Sequence, residues 1–205
     1  MSRRTVIAGI GALGALGAAG LVALLGGGLV SGLAPEHTPG QVRQVAANVV
    51  IVPVGERRPL PAFAGQTVDG GSLDLASLRG QVAVLNFWAS WCGPCRAEQA
   101  GLEQASRQLA AKRVRFVGVN IRDQRAPAAA YLEEFKVSYP SLYDQPSRLP
   151  QLLRADGGEG PPYTLVVDAK GRIAVRIFGV LGGGPVAPAV QAQLLADVVD
   201  QVARS

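Results

Sequence analysis

The apolar and polar positions along the chain fall into three stretches of different rhythm. Positions 5–35 carry no charged residue. An α-helix rises about 1.5 Å per residue, so roughly twenty of these positions cross a hydrocarbon core of about 30 Å. Residues 1–34 therefore read as an N-terminal membrane segment, a transmembrane helix. A signal peptide cut after Gly32-Leu33-Ala34 is the alternative, and Pro35 directly beyond that site disfavours it. Residues 35–58 hold Pro35, Pro39, Pro53 and Gly55 and read as a linker, in which Val49-Val50-Ile51-Val52 allows at most one short strand. Residues 59–205 have the pattern of one folded domain.

Within that domain, residues 60–63 and the Asp69-Gly70-Gly71 turn predict an opening hairpin, and Leu73, Leu75 and Leu78 a helical turn closed by Gly80. Residues 82–87 are apolar except for Asn86, as in a strand buried on both faces. Ala97, Gly101, Leu102, Ala105 and Leu109 recur at helical spacing, predicting a helix over 94–111. A second buried strand follows over 114–121, a helix over 126–136, a short extended piece over 139–143 and a helical turn over 147–153. Two strands, 163–167 and 172–178, are joined by Asp168-Ala169-Lys170-Gly171 as a hairpin, and a last helix covers 186–203. The order predicts an α/β fold: a mixed central sheet with a parallel centre and an antiparallel edge, flanked by helices on both faces.

Composition narrows the function. The chain has 205 residues, 48% hydrophobic and 17% charged, which excludes a disordered polyampholyte. Twenty Lys and Arg against fifteen Asp and Glu give +5, of which Arg3 and Arg4 supply two; the rest is scattered without a basic run, so no nucleic-acid partner is expected. Those two arginines precede the apolar block. Basic flanks stay on the cytoplasmic side, so the folded domain is placed extracytoplasmically, at the cell membrane on a single-pass anchor. Ser2-Arg3-Arg4 is also similar to a twin-arginine export signal, which delivers the domain to the same side. Two cysteines are too few for a disulfide-stapled scaffold or a four-thiolate zinc module.

Both cysteines lie in Trp91-Cys92-Gly93-Pro94-Cys95, after the buried strand and at the start of the long helix. Unpaired N–H groups at a helix N-terminus stabilise a thiolate, so Cys92 has the lowered pKa of an attacking thiol. Cys95, one turn on, is placed to resolve a mixed disulfide formed at Cys92. A buried inert pair and half of a metal site are the competing readings. The single histidine, His37, stands in the linker, so a metal would need ligands from a partner chain, and no metal or other cofactor is expected.

Asn86-Phe87-Trp88-Ala89-Ser90-Trp91-Cys92-Gly93-Pro94-Cys95-Arg96-Ala97-Glu98, with Gly118-Val119-Asn120 at a strand end and Pro162-Tyr163-Thr164-Leu165-Val166-Val167-Asp168 further on, resembles the thioredoxin superfamily and, within it, the membrane-anchored TlpA/ResA-like branch of thiol–disulfide oxidoreductases. The resemblance covers residues 59–203 and implies a thioredoxin-like fold. It implies that Pro162 is the cis-proline against the cysteines, a role proline takes at modest energetic cost. It implies that Glu98 handles the proton at Cys95, because Asn86 stands where thioredoxin has a buried aspartate. An exposed helix glutamate in an ordinary surface pair is the alternative for Glu98. The branch's proline two residues after that glutamate is Ala100 here, which leaves the usual helix kink open. Pro161 lacks an N–H, so backbone clamping of an extended substrate beside Pro162 should be weaker than in the family. Trp91 reads as exposed substrate-contact surface and Trp88 as core; Arg122, Asp123 and Arg125 are assigned no role.

The expected activity is reduction of protein disulfides of the cytochrome c maturation type, with electrons supplied by a transmembrane thiol donor. A copper-binding metallochaperone, a thiol peroxidase of the same fold and a non-catalytic scaffold are the alternatives.

Overall fold

The computed structural model describes residues 48–205 of the chain. The expected membrane segment, 1–34, and the linker up to residue 47 lie outside the described residues. No helix among the described residues is long and apolar enough to cross a membrane.

Among the described residues, eight strands and four α-helices follow one another as β1 (Val49–Ile51), β2 (Ala64–Gln66), β3 (Ser72–Asp74), β4 (Ala83–Trp88), α1 (Gly93–Leu109), β5 (Arg115–Ile121), α2 (Arg125–Glu134), β6 (Ser141–Asp144), α3 (Arg148–Leu153), β7 (Tyr163–Val167), β8 (Ile173–Phe178) and α4 (Pro188–Ala203). The main sheet has the order β1-β8-β7-β4-β5-β6, and β2 and β3 form a separate hairpin. β4, β5 and β6 are parallel, while β7, β8 and β1 continue antiparallel from β4. The parallel strands thus occupy one half of the sheet and run to its β6 edge, rather than forming its centre. The connections explain this: α1 and α2 carry the chain back for parallel pairing, whereas the tight turn at Asp168–Gly171, closed by the Gly171 N–H on the Asp168 carbonyl at 2.8 Å, can only join antiparallel neighbours.

One strand extends the sheet beyond the expected domain start. Val49–Ile51 pairs antiparallel with β8, and the Asn48 amide donates to the Phe178 and Val180 carbonyls at 2.7 and 2.9 Å. The short run between prolines that reads as linker is therefore the sheet's outer strand, since its branched side chains bury Val49 and Val52 against the core.

Each face of the sheet carries its own apolar layer. On one side Val84, Val166 and Val175 pack against Leu102, Ala105 and Leu109 of α1 and Leu195, Val198 and Val199 of α4. On the other, Leu85, Phe87, Val119 and Leu165 pack against Leu75, Leu78 and the α3 leucines Leu149 and Leu153. The two long helices approach closely at Gly101, where a Cβ would stand 2.5 Å from the Gln191 amide oxygen of α4. A third cluster gathers Trp88, Ala89, Cys92 and Cys95 with Ala128 and Tyr131 of α2, and so seats the cysteines where β4 ends and α1 begins.

Candidate active site

Cys92 is the N-cap of α1, in extended conformation, with Pro94 in the first turn where a missing N–H costs no helix bond. The two cysteines are joined as a disulfide, and the Cys95 N–H points at the Cys92 sulfur at 3.1 Å. That N–H is one of the free donors of the helix start, and after reduction it favours charge on Cys92 rather than on Cys95. Both residues are buried, Cys92 at 3% exposure and Cys95 at 1%.

Glu98 lies one turn beyond Cys95 and has no exposed surface, which excludes the surface pair as its environment. Its Oε1 accepts from the Asn86 amide at 2.8 Å and its Oε2 from the Leu181 N–H at 3.0 Å. The Asn86 amide also donates to Thr164 Oγ1 at 3.1 Å. Burial pushes the Glu98 carboxyl up to about 7, against the two hydrogen bonds, which act to lower it. Asn86 and Glu98, each singled out by sequence, are thus one hydrogen-bonded pair.

The Pro161–Pro162 peptide bond is cis, and Pro162 is buried while Pro161 is half-buried. Tyr163 pairs with Phe87, so the register brings Pro162 level with Trp88 at the cysteine end of β4. The Pro162 carbonyl accepts from the Gly179 N–H at 2.9 Å. The loop that follows β8 therefore touches the proline segment at Gly179 and Glu98 at Leu181. Trp91 is 59% exposed and its indole N–H donates to the Arg122 carbonyl at 2.9 Å. Trp88 is core, stacked on Tyr131 and donating to Ser141 Oγ at 2.8 Å.

Sequence reasoning gave the β5–α2 loop no role, and here the structure adds residues. Asp123 is buried and accepts from the Ser90 N–H at 2.6 Å, Ser90 Oγ at 2.8 Å, the Asn120 amide at 2.8 Å and the Gln124 N–H at 2.8 Å. It fixes the turn that leads into Cys92. Arg125 donates to the Thr67 and Val68 carbonyls and lies over the Tyr143 ring. The Tyr131 hydroxyl reaches the Cys95 carbonyl at 3.1 Å, a contact no local pattern announces. The local signal for Asp123 is an acid three residues after Asn120 at a strand end; its contact with Ser90, two residues before Cys92, belongs to the fold. Among the described residues no group of three or more His, Cys, Asp or Glu side chains is placed to hold a metal ion.

Residues 57–176, more than half of the chain, match the AhpC/TSA family. The chain belongs to the AhpC/TSA family. Within that family it is similar to the thiol:disulfide interchange protein DsbE of Pseudomonas fluorescens, with 39% identity over 126 residues that cover 60% of this chain and 67% of the relative. It is similar also to the thiol–disulfide oxidoreductase ResA of Bacillus subtilis, with 23% identity over 62% of this chain and 70% of that protein. The chain thus spans about two thirds of the length of these relatives. Among solved structures, a DsbF homologue from Corynebacterium diphtheriae superimposes with a TM-score of 0.65 at 30% identity, covering 80% of this chain and 96% of the other. This member of the AhpC/TSA family has the thioredoxin-like α/β fold and is a thiol–disulfide oxidoreductase, with its two cysteines in one Cys-x-x-Cys pair.

Proposed function

We propose that the protein is a membrane-tethered, extracytoplasmic reductant of protein disulfides of the cytochrome c maturation type. The observation that carries the reading is the Glu98–Asn86 pair: a buried carboxyl near neutrality, one turn from Cys95, in a dithiol site that must release and recover protons. The uncharged run at positions 5–35 behind Arg3 and Arg4 supports the single-pass anchor and the outward-facing domain.

In the reduced protein the Cys92 thiolate, favoured by the α1 N-terminus, attacks one sulfur of the substrate disulfide. A mixed disulfide forms and the other substrate sulfur leaves as a thiolate. Glu98 in its ionised form accepts the Cys95 proton, and the Cys95 thiolate attacks the Cys92 sulfur, which breaks the mixed bond and releases the second substrate thiol. Two electrons pass to the substrate and the Cys92–Cys95 disulfide remains, to be reduced by a transmembrane thiol donor. Trp91 and the Pro161–Pro162 segment are the substrate contacts. Pro161 presents no N–H there, so substrate is held by its carbonyl and by apolar contact.

Redox titration of the full chain tests the direction. A potential near that of thioredoxin, about −270 mV, supports the reductant, and one near about −120 mV reverses it. Cys95→Ser should accumulate the substrate as a mixed disulfide on Cys92. Absence of any such adduct from cells making the variant would refute the assigned order of attack.

A further inference from the structure

Cations that are scattered along the sequence converge at the end of the sheet remote from the disulfide. An open cavity of about 420 Å³ is lined there by Lys112 and Arg113 after α1, by residues 80–82 before β4, by Asp168, Lys170 and Arg172 of the β7–β8 turn and by the end of α4. Arg79 lies against that turn at Gly171, Arg115 opens β5, and Arg204 caps α4. Arg79, Arg113, Arg115, Lys170 and Arg204 are exposed, and none of them pairs with a carboxylate among the described residues. The acids at this end are already engaged: Asp168 by Arg57 and Arg172, and Asp200 by Lys112.

We propose that this end of the domain docks on an anionic lipid surface, with a headgroup phosphate seated between Arg113 and Lys170. The arrangement fits headgroups better than a protein partner. Protein interfaces centre on aromatic or large aliphatic anchors, and none of the exposed large apolar residues, Val50, Val54, Trp91, Leu152 and Val190, lines the cavity. A row of unpaired cations drawn from separate loops instead matches a diffuse sheet of negative charge, with about a fivefold gain in partition per cation engaged. The inference rests on the membrane-tethered reading above, which brings such a surface within reach. Docking by this end leaves Trp91 and the disulfide pointing away from the headgroups, because β4 runs from the cavity to the cysteines.

The test uses the full chain reconstituted in phosphatidylcholine vesicles and in vesicles containing about one third phosphatidylglycerol, with Lys170 acylation by an amine-reactive reagent as the readout. The proposal expects labelling to slow about fivefold or more in the anionic vesicles and to recover in about 0.5 M salt. The Arg79→Glu/Arg113→Glu variant should lose the protection while keeping its disulfide-reductase rate, which also shows that it is folded. Equal labelling in both vesicles overturns the proposal. So does equal protection by inorganic phosphate in phosphatidylcholine vesicles, which would assign the cavity to a free anion. Flotation of the same samples separates the two readings: protein that floats only with anionic vesicles refutes the anchor and upholds the docking surface, and protein that floats with neither refutes both.

Discussion

Asp123 and Glu98 are both buried carboxylates close to the cysteines in sequence or space, and they differ in how many donors they face. Asp123 accepts four hydrogen bonds, three of them from the Ser90 to Gln124 backbone and hydroxyl groups and one from Asn120. Glu98 accepts two, from Asn86 and Leu181, and is fully buried. The number of donors separates their uses. A carboxylate whose lone pairs are all taken braces the Ala89–Trp91 turn, whereas one with spare acceptor capacity in a dry site holds or releases a proton near pH 7.

The largest expected effect breaks the brace. Asp123→Ala leaves the Ser90 and Gln124 N–H groups and the Asn120 amide without their acceptor, which should cost about 4 kcal/mol and lower Tm by roughly 12 °C, measured by thermal unfolding. Loss of less than about 1 kcal/mol would show that the turn holds itself and that the contrast with Glu98 is unfounded.

Next is the proton holder. Glu98→Gln keeps the shape and the Asn86 contact but cannot take the Cys95 proton, so the resolving step should slow about 100-fold near neutral pH, with the mixed disulfide accumulating in stopped-flow reactions. Asp123→Asn, by contrast, should leave the pH profile of that step in place.

Linkage gives a signal of comparable size, read in stability rather than in rate. The Glu98 carboxyl sits at about 7 in the folded protein against 4.5 for an ordinary glutamate. The folded state therefore binds this proton more tightly than the unfolded state. The associated stability is fully present below pH 4.5 and is lost as pH rises through 7, a change of about 3 kcal/mol. Denaturant titrations of wild type and Glu98→Gln across this range should diverge by that amount, the wild type losing ground toward neutral pH. Parallel curves would show that Glu98 does not hold its proton near neutral pH.

The smallest effect lies outside both carboxylates. Pro161→Val restores an N–H beside Pro162 and should raise the rate with a peptide disulfide by about threefold with little change in stability. An unchanged rate, under conditions in which Cys92→Ser abolishes turnover, would remove the proline's part in substrate clamping.

Local pattern made most of this fold legible. The buried β4 strand announces itself by an apolar run and the α1 helix by its period, and the cysteines fall at their junction, where helix-end physics bears on them. The run Val49-Val50-Ile51-Val52 reads as at most a short strand within a linker, and its place at the edge of the sheet depends on β8, over a hundred positions away. Glu98 is singled out by the resemblance to the ResA-like branch, but its second donor, Leu181, is 83 residues distant in a glycine-rich loop. Asp123 went unassigned because exposed loop charges are ordinarily solvated, and only the fold brings Ser90 to it. The cationic end is the extreme case: Arg79 precedes β4, Arg113 follows α1 and Lys170 lies in the β7–β8 turn, and only the assembled sheet makes them neighbours.

The two tryptophans of the chain both flank the disulfide, one within the cysteine cluster and one at its exposed margin. The protein's own emission is therefore a reporter confined to the redox centre. Trp88, enclosed and stacked on Tyr131, should emit toward the blue and respond to opening of the adjacent sulfur bridge, while Trp91, facing solvent, should emit toward the red and respond to an arriving substrate. Two colours from one excitation would then follow electron transfer and partner contact separately, with no label added to the molecule.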